Sequence, residues 1–304
     1  MARTFVGRLA RTAGIFGGTL VLLIASAAVA ADRYWPPIVD PATGRHTPGR
    51  WVWADLVTAD VATAAEFYGK VFGWTFETYG GTDDRETYTL ALADGLPIGG
   101  LLYDARALQG DTPSARWIGL VSVADPRAAA AAVTQHGGKV IYAPTMLGER
   151  GETAVFQDPE GTLFGVVNSK NGDPGDYLGD ENEWVWLDLW SNDVAKAAEF
   201  YRAVVGYETT PAGVDGTARK GVHLLSGGYV RAGIMQKHDP KTSSVWLPYV
   251  RVASAEQAID KARAAGGKVV YGPAAFGRGT IAILTDPTGA PVGIVQLPAT
   301  EAQP

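Results

Sequence analysis

The chain has 304 residues, 46% of them hydrophobic and 19% charged, a composition that excludes disordered and fibrous classes and suffices for two domains with their own cores. A formal charge of −6 and a pI of 5.3 argue against a nucleic-acid partner. The absence of cysteine excludes disulfides, thiolate metal sites and a cysteine nucleophile.

Residues 1–30 carry Arg3, Arg8 and Arg11 and no acidic residue, then an apolar run ending in Ala28-Val29-Ala30. That is the layout of a secretory signal peptide, or of an uncleaved N-terminal membrane anchor. Either reading predicts an exported protein, placed in the periplasm, in the cell envelope or outside the cell. A membrane enters only through this segment. Residues 31–50 are rich in Pro, Gly and polar side chains without periodicity, so we read them as an exposed linker or an arm lying on the surface. His46 lies there and reads as a solvated loop residue.

From Trp51 the chain repeats itself. Trp51-Val52-Trp53-Ala54-Asp55-Leu56 returns as Trp184-Val185-Trp186-Leu187-Asp188-Leu189, and Ala64-Ala65-Glu66-Phe67-Tyr68 returns as Ala197-Ala198-Glu199-Phe200-Tyr201 at the same offset. Gly137-Gly138-Lys139-Val140 matches Gly266-Gly267-Lys268-Val269, and Asp158-Pro159 with Gly161 matches Asp286-Pro287 with Gly289. Two modules follow, 51–169 and 184–297, with an acidic, Gly-rich linker at 170–183 and a short tail at 298–304.

Each module predicts a strand, a helix and three strands, twice over. Residues 51–58 are rich in β-formers, Asp60 suits an N-cap, and Ala64, Phe67, Tyr68 and Val71 recur at helical spacing over 61–72 before Gly73. Strands follow near 74–79, 87–93 and 97–103. The pattern restarts with a strand at 117–123, a helix over 127–135, His136 and Gly137-Gly138 as its stop, and strands near 139–143, 153–157 and 162–168. The second module repeats the order from 184 and from 245.

Four βαβββ units, the repeated Phe-Tyr helix segment and the repeated Asp-Pro-x-Gly turn together resemble the vicinal oxygen chelate superfamily. That superfamily includes glyoxalase I, bleomycin- and fosfomycin-resistance proteins and extradiol dioxygenases. The resemblance covers nearly all of 51–297. It implies an α+β fold of two tandem modules whose mixed sheets curl into cups that bind ligands inside.

The resemblance also says where metal ligands would stand. The family's first His precedes the helix-capping Asp by seven residues, where this chain has Trp53 and Trp186. The last-strand Glu corresponds to Gly165 and Gly293, and the His of the second unit falls near Ile118 and Leu247. An indole N–H only donates, and Gly and aliphatic side chains offer nothing to a metal. The expectation is therefore no metal and no cofactor.

Strand alternation fills the vacated cups. Trp53, Asp55 and Val57 share one face of the first strand, and Ala54 and Leu56 the other. In the second module the cup face carries Trp186, Asp188 and Trp190, joined by Tyr249 and Arg251, against Leu120 and Ser122 in the first. The second cup is expected to be more polar, with Asp188 and Arg251 near each other. These residues either pack the cup or contact a ligand, and Asp188 and Arg251 are the weak catalytic candidates. His223 and His238 each read as structural or solvated. Gly99-Gly100 and Gly227-Gly228 mark turns or close backbone approach, and no phosphate loop or nucleophile elbow occurs.

Three functions remain open at this point. One is a metal-free module binding a small organic molecule between aromatic walls. Another is a divergent lyase, isomerase or dioxygenase using Asp188 and His223, with a relocated metal or by acid–base chemistry alone. The last is an envelope interaction protein that docks a partner through Tyr34-Trp35-Pro36-Pro37. Two modules in one chain make an oligomer unnecessary.

Overall fold

The computed structural model describes residues 34–298 except 82, 84–85, 106–114, 213–219, 238 and 277–278. The predicted signal segment and His238 lie outside the described residues. No helix among the described residues is long and apolar enough to cross a membrane.

The first module runs β1 (Trp51–Thr58), α1 (Val61–Phe72), β2 (Thr75–Tyr79), β3 (Tyr88–Ala93), β4 (Leu96–Tyr103), β5 (Arg116–Ser122), α2 (Pro126–Gln135), β6 (Lys139–Leu147), β7 (Gly151–Gln157) and β8 (Leu163–Ser169). The second repeats it as β9 (Trp184–Ser191), α3 (Val194–Val205), β10 (Glu208–Pro211), β11 (Gly221–Ser226), β12 (Tyr229–Gln236), β13 (Val245–Arg251), α4 (Ala255–Ala264), β14 (Lys268–Phe276), β15 (Gly279–Thr285) and β16 (Pro291–Gln296). Each module forms one eight-stranded mixed sheet, ordered β2-β3-β4-β1-β5-β8-β7-β6 and β10-β11-β12-β9-β13-β16-β15-β14. The fold is α+β, as expected.

Local chemistry sets the element ends. Asp60 and Asp193 accept from Thr63 N and Lys196 N at the starts of α1 and α3, and Gly73 and Gly206 close them in the left-handed conformation. His136 caps α2, with its Nδ1 2.9 Å from the Ala132 carbonyl.

The two sheets pack back to back through their helices. One core joins Phe67 and Tyr68 of α1 to Ile259 of α4, and the other joins Val133 of α2 to Phe200 of α3. Ala54 and Leu56 lie in the first of these cores, while Trp53 belongs to a separate cluster on the opposite face. The cups therefore open away from each other.

The repeated motifs hold this seam. Tyr201 on α3 donates to Asp158 Oδ2 across the modules (3.0 Å) and accepts from Trp246 Nε1 (2.7 Å). Its counterpart Tyr68 accepts from Trp117 Nε1 (2.7 Å) and lies beside Asp286 of the other module. Burial, and then the neighbouring carboxylate, push both phenols well above their usual range. Burial likewise raises Asp158 and Asp286 above the usual carboxylate range.

Two candidate ligand cups

The register of the central strands builds the cup floors. Trp53 on β1 faces Leu120 on β5, which faces Gly165 on β8; in the second module the same rung is Trp186, Tyr249 and Gly293. Leu120 and Tyr249 thus lie level with Trp53 and Trp186, two residues beyond Ile118 and Leu247. Those two instead pair with Asp55 and Asp188. A Cβ at Gly165 would strike the Leu120 side chain, and one at Gly293 would strike the Tyr249 ring. The neighbour thus occupies the volume that a last-strand carboxylate would need. Indole, leucine or a lone phenol, and glycine do not make a metal site. Among the described residues no group of three His, Cys, Asp or Glu could hold a metal ion.

A bulge sorts the tryptophans. Simple alternation would put Trp51 on the same face as Trp53, but the ladder slips between them, as it does between Tyr249 and Val250 opposite Trp186 and Trp184. Trp51 and Trp184 turn to the seam, their rings 5.6 Å apart, with Trp74 and Trp117 packed 5.1 and 5.0 Å from Trp184. Trp53 and Trp186 stay in the cups.

The first cup is full. Asp55 Oδ2 accepts from Arg150 Nη1 at 2.7 Å, and Asp55 Oδ1 from Trp53 Nε1 at 3.0 Å and Tyr88 Oη at 2.7 Å. Arg150 Nη2 also donates to Tyr88 Oη at 2.5 Å. Arg150 is fully buried, its Cζ 4.9, 5.1 and 4.8 Å from the rings of Trp35, Trp53 and Tyr88. Burial alone works against the charge, but Asp55 and Tyr88 outweigh it and hold the guanidinium above its usual range.

Trp35 comes from the arm. The arm was expected to be an exposed linker or to lie on the surface; the structure corrects this for Trp35 and Ile38, which are buried in the first cup. An indole and a branched aliphatic chain gain more from burial than an uncovered cup allows. Residues 40–46 are exposed, including His46.

Among the described residues, the second cup shows half of this arrangement. Trp186 Nε1 donates to Asp188 Oδ1 at 2.7 Å, and Asp188 is buried. Register equates Tyr88 with Gly221 and Leu90 with His223, since Leu90 pairs with Gly100 and His223 with Gly233. Gly100 lacks a Cβ because Tyr88 lies over it; Gly233 lacks one because Asp188 Oδ1 does, on the side toward His223. The His223 imidazole stands edge-on to Trp186 at 6.0 Å, and burial lowers its pKa. Trp186, Trp190 and His223 all keep some exposure.

Tyr249 lies in this cup, opposite Trp186. Arg251 does not meet Asp188. The ladder partner of Asp188 is Leu247, four residues and about 13 Å back along β13. Arg251 Nη1 instead donates to the Gly179 carbonyl at 3.2 Å, on the linker. Arg150, Tyr88 and Trp35 were missed as cup residues. Arg150 sits in a Gly-Glu-Arg-Gly hairpin that reads as a surface turn, and only the recurrence of Arg278 in the second module's hairpin hinted at more. Arg278 lies outside the described residues.

Comparisons agree with this architecture. Residues 50–166 match the Glyoxalase/Bleomycin resistance protein/Dioxygenase superfamily, and residues 184–295 match a glyoxalase-like domain. The chain is 30% identical to the anthracycline biosynthesis protein DauV of Streptomyces sp. strain C5, over 83% of this chain and 95% of that protein. It is 27% identical to the putative glyoxylase CFP32 of Mycobacterium tuberculosis, over 82% and 95%. The fold resembles the 2,3-dioxygenase LapB of Pseudomonas sp. KL28 (TM-score 0.56, 17% identity, 85% and 96% covered). It also resembles the Mn(II)-bound glyoxalase of Novosphingobium aromaticivorans (TM-score 0.56, 17% identity, 82% of each chain). With its βαβββ units arranged in two tandem modules, this chain belongs to the glyoxalase/bleomycin resistance/dioxygenase superfamily.

Proposed function

We propose that the protein is an exported, metal-independent binding member of its superfamily, holding a small planar organic molecule in the second cup. One observation carries the reading: Trp186, Trp190 and His223 are partly exposed while Trp53, the counterpart of Trp186, is buried under the protein's own residues, and Trp186 bonds the buried Asp188. Aromatic walls with a few convergent polar groups are the usual make-up of a small-molecule site. Tyr249 forms the floor, and Arg251 stands at the rim against the linker. Export rests on the basic-then-apolar pattern of residues 1–30.

Two relatives named for anthracycline biosynthesis suggest the first probe. An anthracycline titrated into the protein should quench tryptophan fluorescence, and Trp186→Ala should weaken binding about tenfold or more. Unchanged affinity would remove the second cup from the reading. Elemental analysis of protein isolated without chelator tests metal independence; stoichiometric metal would overturn it. N-terminal sequencing of the exported form should start at Ala31.

A divergent enzyme is the second reading. His223, whose charged form burial disfavours and which lies across Gly233 from Asp188 in the sheet, is placed to take a proton from a bound molecule. Loss of turnover in His223→Gln with retained binding would favour it.

A further inference from the structure

Trp190 on β9 pairs with Val245 on β13, at the end of β9 and the start of β13. A carboxylate from the other module closes this rung. Glu160, in the turn between β7 and β8, accepts from Ser191 Oγ (3.1 Å) and Asn192 N (3.0 Å), just after Trp190, and from Ser244 Oγ, just before Val245. Its other oxygen accepts from Asp193 N at 2.9 Å, where α3 begins. The neighbouring strand β12 reaches the same corner, where Gln236 Nε2 donates to the Asn192 carbonyl at 2.8 Å. Burial works against the Glu160 charge, but the four bonds outweigh it and hold the carboxyl below its usual range.

The first module has the same corner without the clasp. Ladder register and the repeat make Val57, Ala115 and Thr288 the counterparts of Trp190, Ser244 and Glu160. Ala115 has no hydroxyl to give. Thr288 Oγ1 donates back to Asp286 Oδ1 at 2.7 Å, within its own turn. Yet β1 and β5 still pair as far as Val57 and Arg116, so the fold closes this corner without a carboxylate. Among the described residues, the clasp stands where the strand ends in a partly exposed tryptophan and not where it ends in a valine. A feature the fold can omit, set on the rung of that ring, points to the placement of the ring.

We propose that Glu160 is a positioning residue for the second cup, supplied by the first module: it fixes the Trp190 rung and so, on the reading of the second cup as a binding site, sets a wall that a bound molecule meets. The first module, its own cup filled, thereby completes the site of the second.

The test reads the ring first and binding second. Glu160→Thr copies Thr288 and Ser244→Ala copies Ala115, so each substitution is one that the other module already carries. With 5-fluorotryptophan in place of the nine tryptophans, Trp190→Phe identifies the Trp190 fluorine signal and Trp53→Phe that of Trp53. Glu160→Thr should shift or broaden the Trp190 signal and leave the Trp53 signal unmoved; Ser244→Ala should move the Trp190 signal less. An unmoved Trp190 signal in Glu160→Thr overturns the proposal, and Ser244→Ala decides in its place if that variant does not fold. Glu160→Thr should also weaken anthracycline binding about fivefold or more, yet add nothing in a Trp190→Ala background. An equal loss in both backgrounds would make Glu160 a general support of the fold and overturn the proposal. No anthracycline binding by the unaltered protein would count against the reading of the second cup, while the fluorine signals still decide whether Glu160 places Trp190.

Discussion

The two cups begin from the same strand, with an aspartate two residues after a tryptophan whose indole N–H it accepts. In the first, Tyr88, Arg150 and Trp35 complete a closed network. In the second, glycine replaces the tyrosine, histidine replaces Leu90, and the preceding segment sends no aromatic side chain inward. The same repeated motif thus sits in a filled cup in one module and beside partly exposed rings in the other. A shared motif at the floor of both cups says little about function; the residues arriving from the hairpins and the arm decide it.

Removing the cation is the strongest way to break the contrast. Arg150→Ala leaves Asp55 buried without its ion partner and should cost about 3–5 kcal/mol in denaturant unfolding. A loss under ~1 kcal/mol would mean that water reaches Asp55 in the first cup.

Matched tryptophan deletions come next. Trp53→Ala should cost about 3–5 kcal/mol, because the ring is fully enclosed and a cavity remains. Trp186→Ala should cost about 1–2 kcal/mol, since that ring is already partly hydrated. Equal losses would erase the difference between the cups.

At the seam, Tyr201→Phe removes the hydroxyl that links Trp246 to Asp158 and should cost about 1–2 kcal/mol without altering ligand binding. A change in affinity there would show that the seam and the cups are coupled.

The smallest effects are pH-dependent and of opposite sign. The pKa of His223 is lowered in the fold, so the unfolded chain binds its proton first. Its stability contribution is complete above about pH 6.5 and falls as pH drops through that value. His223→Leu, which copies Leu90, should flatten the slope there. Asp158 and Asp286 have raised folded pKa values, so the fold holds their protons longer than the unfolded chain does. Their contribution is complete below about pH 4 and is lost as pH rises through the raised values. Asp286→Asn should flatten stability over that window.

Much of the fold was legible. Asp60 and Gly73 bracket α1 as their cap chemistry predicts, and the recurrence from Trp51 to Trp184 announced the second module. Period-two alternation placed Ala54 and Leu56 under the helices, and Trp53 and Asp55 in the cup. The site was legible only in part. The bulge that separates Trp51 from Trp53 breaks the alternation that sequence reading relies on, and no residue there signals it. Asp188 and Arg251 share a face by parity, but parity carries no information about distance along a ladder.

By itself the sequence determined the units, their caps and the duplication, because those follow from local chemistry and spacing; that Trp53, Trp186, Gly165 and Gly293 stand at ligand positions is what the family resemblance implies. The tertiary structure decided that Arg150 and Trp35 fill one cup, that the repeated Tyr and Asp-Pro-x-Gly motifs bind the modules together, and that Trp186, Trp190 and His223 stay partly exposed. Those outcomes depend on contacts between residues far apart in the chain, where burial and charge pairing act together and no local pattern reports them.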